Sequence, residues 1–366
     1  MEFGQHPLLA IDVGTSKVAI QALGSESVIA APFVAAFDKR RLGRDDAKHY
    51  LGDIALRMLG RSPAGIEVVR PMVEGEVSDS GAAKTFFHDF LRENVQHFRR
   101  KGMVAAVAIP SGVTTLGRSS LGECLGAAGV TRRITVASHI AALAHGVPDY
   151  RDRPGILSVD IGAGKAEIGV VSLGRTIAVR SLRCGGDVMT AAVRTHFLRN
   201  HGFEIGTSEA EMAKISWGTV RAEQTDGQTS VILRGKCRHR GVPLMRDFPR
   251  SELAKALSVP LELIATAVLA VLESVPCEVL ASVFDQPVCL TGGAAQLDGF
   301  DLALAARIGA KVSLVTEPQF AVVRGLMQLD IGQRKSARQT RLAFFGPRNR
   351  SPILPQMPCP QNVAQP

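Results

Sequence analysis

Leu8-Leu9-Ala10-Ile11-Asp12-Val13-Gly14-Thr15-Ser16-Lys17-Val18-Ala19-Ile20 and, about 150 residues later, Gly155-Ile156-Leu157-Ser158-Val159-Asp160-Ile161-Gly162-Ala163-Gly164-Lys165-Ala166 follow one pattern. Each is a short apolar run that ends in an aspartate, breaks at a glycine-bearing turn and resumes as an apolar run, which reads as a buried hairpin. The echo predicts two homologous halves of one α/β architecture, mixed sheets flanked by helices, and two halves that face each other make a cleft.

Between and beyond the hairpins the same reading continues. Met103 to Ile109 is a buried strand closed by Pro110-Ser111-Gly112-Val113, with a helix near 116–128, a strand at 134–137 and a helix-prone Ala141-Ala142-Leu143-Ala144 after it. Asp187–Arg199 and Ser208–Ile215 have helical spacing, 219–250 read as short strands and loops, and a long helix runs from Ser251 or Pro260 to Leu280. Val288-Cys289-Leu290-Thr291 is a strand that empties into Gly292-Gly293. Past Leu329 the pattern gives way to an Arg/Gln/Pro-rich tail whose expected state is disorder.

Composition narrows the classes. A chain of 366 residues with 46% hydrophobic residues exceeds the roughly 250–300 at which single cores stop growing. With 5% aromatic residues and one Trp, stacking platforms for nucleic acid are scarce, so no nucleic-acid partner is expected. No uninterrupted apolar run approaches the roughly 18 residues of a membrane span, and Met1–His6 lacks a basic signal-peptide head, so the expected location is cytoplasmic. The six cysteines form no C-x-x-C pair, which fits reduced thiols better than disulfides or a zinc site. Of the net charge of +9, six charges sit in residues 331–366, where Arg334, Lys335, Arg338, Arg341, Arg348 and Arg350 meet no acid.

The chemistry lies in the turns. Glycine lets backbone N–H groups converge on phosphate oxygens, and the strand-end carboxylates Asp12 and Asp160 are placed to hold a hydrated Mg²⁺ opposite them. One such turn alone is usually just a hairpin; two, followed by Leu290-Thr291-Gly292-Gly293-Ala294 at a strand's carboxyl end, point to a nucleotide.

These elements resemble the actin, sugar-kinase and heat-shock-chaperone ATPases, and most closely the MreB family of bacterial actins. The resemblance rests on Ile11–Thr15, on Val69-Arg70-Pro71-Met72-Val73-Glu74-Gly75-Glu76-Val77-Ser78-Asp79, on Ile109–Thr114, on Val159–Gly164 and its continuation to Gly185-Gly186-Asp187, and on Leu290–Gly293. It spans about residues 8 to 330 in order. It implies ATP and Mg²⁺ between domain I (1–150, small insertion about 25–72) and domain II (151–330, insertion about 187–260). It places Asp12, Gly14, Thr15 and Ser16 in the first phosphate loop and Asp160, Gly162, Ala163 and Gly164 in the second. Gly185, Gly186 and Asp187 would line the nucleoside pocket, Glu211 and Lys214 would contact ribose and base, and Gly292 and Gly293 would form the adenosine loop. Without the family, Glu211 and Lys214 read as an exposed helical ion pair.

Two departures stand out. Where the family has a Glu that orients the attacking water, His139 follows Ala137-Ser138, and imidazole is a weaker base, so hydrolysis is expected to be slow. The second loop carries Ala163, Lys165 and Ala166 in place of a glycine and two threonines; Lys165 either neutralises phosphate charge or turns to solvent. The basic segment 97–103 and the tail pair cations with apolar residues, which suits either an anionic membrane surface or plain solvation.

The reading is therefore an MreB-like protein that binds ATP and self-associates head to tail into cytoskeletal filaments, in cell shape or intracellular organisation, with weak ATPase activity if any. Its rivals are a small-molecule kinase of the same superfold, which needs a carboxylate base, and an FtsA-like nucleotide-binding adaptor.

Overall fold

In a computed structural model of the chain, the described residues are 8–39, 49–95, 102–221, 230–238 and 241–329. The basic tail 331–366 and positions 97–101 of the basic segment lie outside them.

The chain opens with β1 (Leu8–Val13), β2 (Lys17–Ala22) and β3 (Ile29–Pro32), an antiparallel meander. A small sheet follows, made of β4 (Ala35–Asp38), β5 (His49–Leu51) and, after α1 (Gly52–Met58), β6 (Ile66–Val69). The ribbon β7 (Met72–Val73) and β8 (Glu76–Val77) leads to α2 (Ser80–Asn94), β9 (Met103–Ile109), α3 (Thr115–Ala127), β10 (Val130–Ala137) and α4 (Ser138–Gly146). β9 adds to β1 in parallel and β10 to β9, giving the order β10-β9-β1-β2-β3.

The second passage repeats the first. β11 (Ile156–Ile161), β12 (Ala166–Ser172) and β13 (Arg175–Leu182) form another antiparallel meander. Then come α5 (Gly186–His201), β14 (Phe203–Ile205), α6 (Thr207–Trp217), β15 (Ser230–Cys237), β16 (Pro243–Pro249), α7 (Ser251–Glu273) and α8 (Cys277–Phe284). β17 (Val288–Thr291), α9 (Phe300–Ile308), β18 (Val312–Leu314) and α10 (Ala321–Gln328) complete it. β17 joins β11 in parallel and β18 joins β17, so the order is β13-β12-β11-β17-β18, with β14-β15-β16 as its own small sheet. Both large sheets are thus a three-strand meander whose first strand is extended by two parallel strands.

Each sheet has its own buried cluster. Leu9, Ile11, Phe33, Phe86, Phe87 and Leu125 pack together in the first half, and Val159, Ile168, Phe197, Leu257, Val268 and Phe300 in the second. Strands β1 and β11 are buried at nearly every described position because they are central and covered on both faces. Local signals set several boundaries: Asp79 accepts the Ala82 N–H at 2.9 Å to start α2, and Thr114 accepts the Gly117 N–H at 3.0 Å to start α3.

Two expectations are corrected. β10 begins at Val130 rather than 134, because exposed Thr131, Arg132 and Arg133 mask the strand in an alternation reading. The long helix stops at Glu273, and α8 starts anew behind Pro276, whose missing N–H and clash with the preceding residue end a helix. α7 is long and apolar enough to cross a bilayer by length and composition, but 56% of that window is buried inside the fold, as for a core helix.

Candidate functional site

The two hairpins close with one turn. Gly14 N–H donates to Lys17 O at 3.0 Å and Gly162 N–H donates to Lys165 O at 2.9 Å. Asp12 and Asp160 therefore leave the carboxyl ends of their central strands in matching positions, Asp12 opposite Ala19 and Asp160 opposite Glu167. The turns touch: Thr15 packs so closely on Gly164 that a Cβ there would collide with the Thr15 side chain. Thr15 Oγ1 also accepts the N–H of Gly75 at 3.2 Å, tying the first loop to the β7–β8 ribbon.

Electrostatics make the two carboxyls one site. Burial pushes Asp12 up to about 6, against the pull of Lys17. Burial and then the Asp12 charge push Asp160 up to about 7, although Thr291 Oγ1–H donates to its Oδ1 at 2.9 Å. Lys17 feels both aspartates, its pKa lowered by burial against their opposing pull, and its ammonium lies 4.6 Å from the centre of the Phe320 ring. Two buried carboxyls whose charges repel each other form a donor set that one divalent cation would satisfy, so the residues fit Mg²⁺.

A wall continues from the second turn. Gly186 N–H donates to Gly162 O at 2.9 Å and Asp187 N–H to Ala163 O at 2.8 Å, so Gly185, Gly186 and Asp187 lie directly against the loop. Lys214 is buried and its three hydrogens go to Gly186 O (2.8 Å), Thr190 Oγ1 (2.9 Å) and Glu211 Oε2 (2.7 Å). Thr190 Oγ1 also bonds Glu211. The Glu211–Lys214 pair is thus a brace behind Gly186 and not an exposed surface pair. Gly292 stands at φ 92°, a backbone open to glycine, and a Cβ there would collide with the Ile161 backbone; Ala294 then sits beside Gly186. Gly293 begins a 3-10 turn through Gln296. Ser16 contributes its carbonyl to Phe33 N–H at 2.9 Å.

Two predicted residues have partners that the sequence does not reveal. Lys165 is half-buried, its Cε and Nζ 3.0 Å from where a Cβ on Gly75 would stand, across the interface in the first half and beside the turn that Thr15 holds. His139 is 1% exposed, with Nδ1 2.9 Å from Glu167 Oε1 and Nε2 2.7 Å from Thr176 Oγ1. With Nδ1–H donating to the carboxylate, Nε2 accepts the threonine hydroxyl, and neither nitrogen is left to hold an attacking water. Ser111 N–H and Oγ–H also donate to Glu167 Oε1, at 3.1 and 2.5 Å, while Oε2 is buried without a partner.

Sequence reasoning passed over Lys17, Glu167, Ser111 and Thr291. Lys17 and Glu167 carried a signal, since each is a charged residue inside an apolar hairpin. Further contacts join the halves around this core: Arg70 Nη1 is 3.9 Å from Asp187 Oδ1, and Arg183 Nη1 is 3.0 Å from Glu74 Oε2. Glu74 holds a left-handed backbone, φ 49°.

Comparison with known proteins agrees with this architecture. The family model described as MreB/Mbl protein matches residues 6–337. The cell shape-determining protein MreB of Escherichia coli (strain K12) is 31% identical over 319 residues, 87% of this chain and 91% of that protein. The crystal structure of MreB5 of Spiroplasma citri bound to AMPPNP superposes with a TM-score of 0.83 at 22% identity, covering 92% of this chain and 99% of that one. The MamK double helical filament gives a TM-score of 0.74 at 18% identity, covering 89% and 98%. The fold is actin-like.

Proposed function

The chain belongs to the MreB/Mbl family, and from that premise we propose that it binds ATP with Mg²⁺ between its halves and self-associates head to tail into cytoplasmic filaments that serve cell shape or intracellular organisation. The observation that carries the proposal is the contact of Thr15 of one hairpin with Gly164 of the other, which sets the strand ends bearing Asp12 and Asp160 close enough for their charges to act on each other and on Lys17. The Spiroplasma relative was solved with AMPPNP and the MamK relative as a filament, which supports the same reading. Asp12 and Asp160 would hold Mg²⁺ through water, and the ion would neutralise polyphosphate charge. The Gly14–Ser16 and Gly162–Gly164 turns offer backbone N–H groups, and Gly185–Asp187, the Glu211–Lys214 brace and Gly292–Gly293 shape the nucleoside side.

Because the nucleotide touches both halves, it acts as a clasp whose unequal affinity for open and closed arrangements tunes polymer stability. Slow turnover is supported by the engaged nitrogens of His139 and by a Lys165 directed at the Gly75 turn. Contact of the basic segment 97–103 or the tail with anionic lipid belongs to the same proposal, and vesicle co-sedimentation of the chain with and without residues 331–366 tests it.

The deciding experiment is sedimentation and electron microscopy of the purified chain with Mg²⁺ and ATP or a non-hydrolysable analogue. Filaments with both are expected. A protein that binds nucleotide yet stays dispersed would remove the filament reading and favour a small-molecule kinase.

A further inference from the structure

Three side chains away from the cleft converge on one point. His196 and His201, both on α5, each place Nε2 2.7 Å from Glu252 Oε2 in the first turn of α7, and the three atoms lie within 4.8 Å of one another. The other carboxylate oxygen is taken by Lys255 Nζ at 2.6 Å, so both imidazoles are left to share Oε2. The site is mostly enclosed, with side-chain exposures of 11% for His196 and Glu252 and 23% for His201. On one side the rings of Phe197 and Phe248 pack against His201, with centroids 5.7 and 5.0 Å away.

We propose that His196, His201 and Glu252 bind a divalent transition metal of the Zn²⁺ class that fastens the end of α5 to the start of α7. Two imidazole nitrogens and one carboxylate oxygen are a set that zinc accepts, with water or a small anion in the fourth position. The anionic ligand is in place, with Oε1 held by Lys255 and Oε2 turned to both imidazoles. Ligating imidazoles need their second nitrogen held; Asn200 Nδ2 lies 3.0 Å from His196 Nδ1, and a flip of that amide on metal binding would turn its oxygen to accept Nδ1–H. His201 also borders a hollow lined by Arg199, Asn200, Gly202, Arg238 and Arg246, whose arginines favour an anion beside the site. Metal exchanges two N–H···O bonds for three coordinate bonds at one centre, each ring proton passing from Nε2 to Nδ1 so that Nε2 is free to ligate.

The test is a titration of the tag-free full chain with Zn²⁺, and with Co²⁺ for its visible spectrum. One bound equivalent with a tetrahedral Co²⁺ spectrum is expected. His201→Gln keeps a donor for Glu252 but offers no imidazole; it should fold as the parent does and lose at least about 100-fold in affinity, since even outer-shell partners are worth 10–100-fold. Asn200→Ala should lose about tenfold with the ligands intact. Zn²⁺ should also raise the parent's melting temperature and leave that of His201→Gln unchanged. Absence of binding to the parent, or binding that His201→Gln does not weaken, overturns the proposal.

Discussion

Lys17 and Lys165 occupy one position in two copies of one hairpin, each carbonyl closing the turn, yet their ammonium groups do different things. Lys17 faces the Asp12–Asp160 pair, whereas Lys165 crosses to the Gly75 turn, among the charges of Glu76, Arg183, Glu167 and Glu74. The backbone of the repeat is preserved and the side-chain task is not. What lies opposite each strand decides the difference: Asp12 faces Ala19, while Asp160 faces Glu167, so the second copy carries an extra acid that engages Ser111 and His139. One hairpin has become the cation donor of the site and the other its spacer and anchor.

The largest effect should follow loss of either aspartate. Asp160→Asn or Asp12→Asn should lower Mg²⁺–ATP affinity about 100-fold, the worth of a charged contact of roughly 1.5–3 kcal/mol, measured by calorimetry. Equal losses would support a shared site; a large loss from Asp12 alone would break the pairing.

Next is pH. In the nucleotide-free protein both carboxyls bind protons more tightly folded than unfolded, where the value is 3.8. Unfolding therefore releases protons between about pH 4 and pH 7, and stability falls as pH rises through that window, then levels off. The fall should be on the order of 1–3 kcal/mol by denaturant titration at about pH 5 and pH 8, and smaller in Asp160→Asn. Stability that rises across the window would contradict the burial of this pair.

Lys17→Met should cost about 10-fold or more in ATP affinity, because it removes the cation facing both aspartates. Lys165→Met should change affinity by less than about threefold, its charge being spent on a partly solvated contact with the other half. If the two lysines proved equivalent, their side chains would be doing one job and the contrast between the hairpins would collapse.

How much of this was legible depended on distance along the chain. The two Asp-glycine turns, Gly185–Asp187 and Gly292–Gly293 are local signals, and the structure gathers them. Thr291 hid at the end of a strand where a hydroxyl looks like any strand residue, and its bond to Asp160 depends on parallel β11–β17 pairing. His139 was read by its place in a motif, but its partners Glu167 and Thr176 come from β12 and β13, on the other half. The Glu211–Lys214 pair was visible by spacing; that Lys214 is buried against Gly186 was not, because burial is decided by how α5 and α6 pack. The His196–His201–Glu252 cluster joins residues about 50 positions apart and carries no spacing signature.

Glu74 gives the ribbon a mechanical character. Its left-handed torsion, with that of Gly75, makes the tight turn between β7 and β8, and its carboxylate reaches Arg183 of the opposite half in an exposed ion pair. Gly75 beside it touches the Thr15 hydroxyl and the Lys165 stem at once. Separation of the halves would break the Arg183 and Lys165 contacts at this one turn, so the short ribbon behaves as a latch that opening of the molecule must undo.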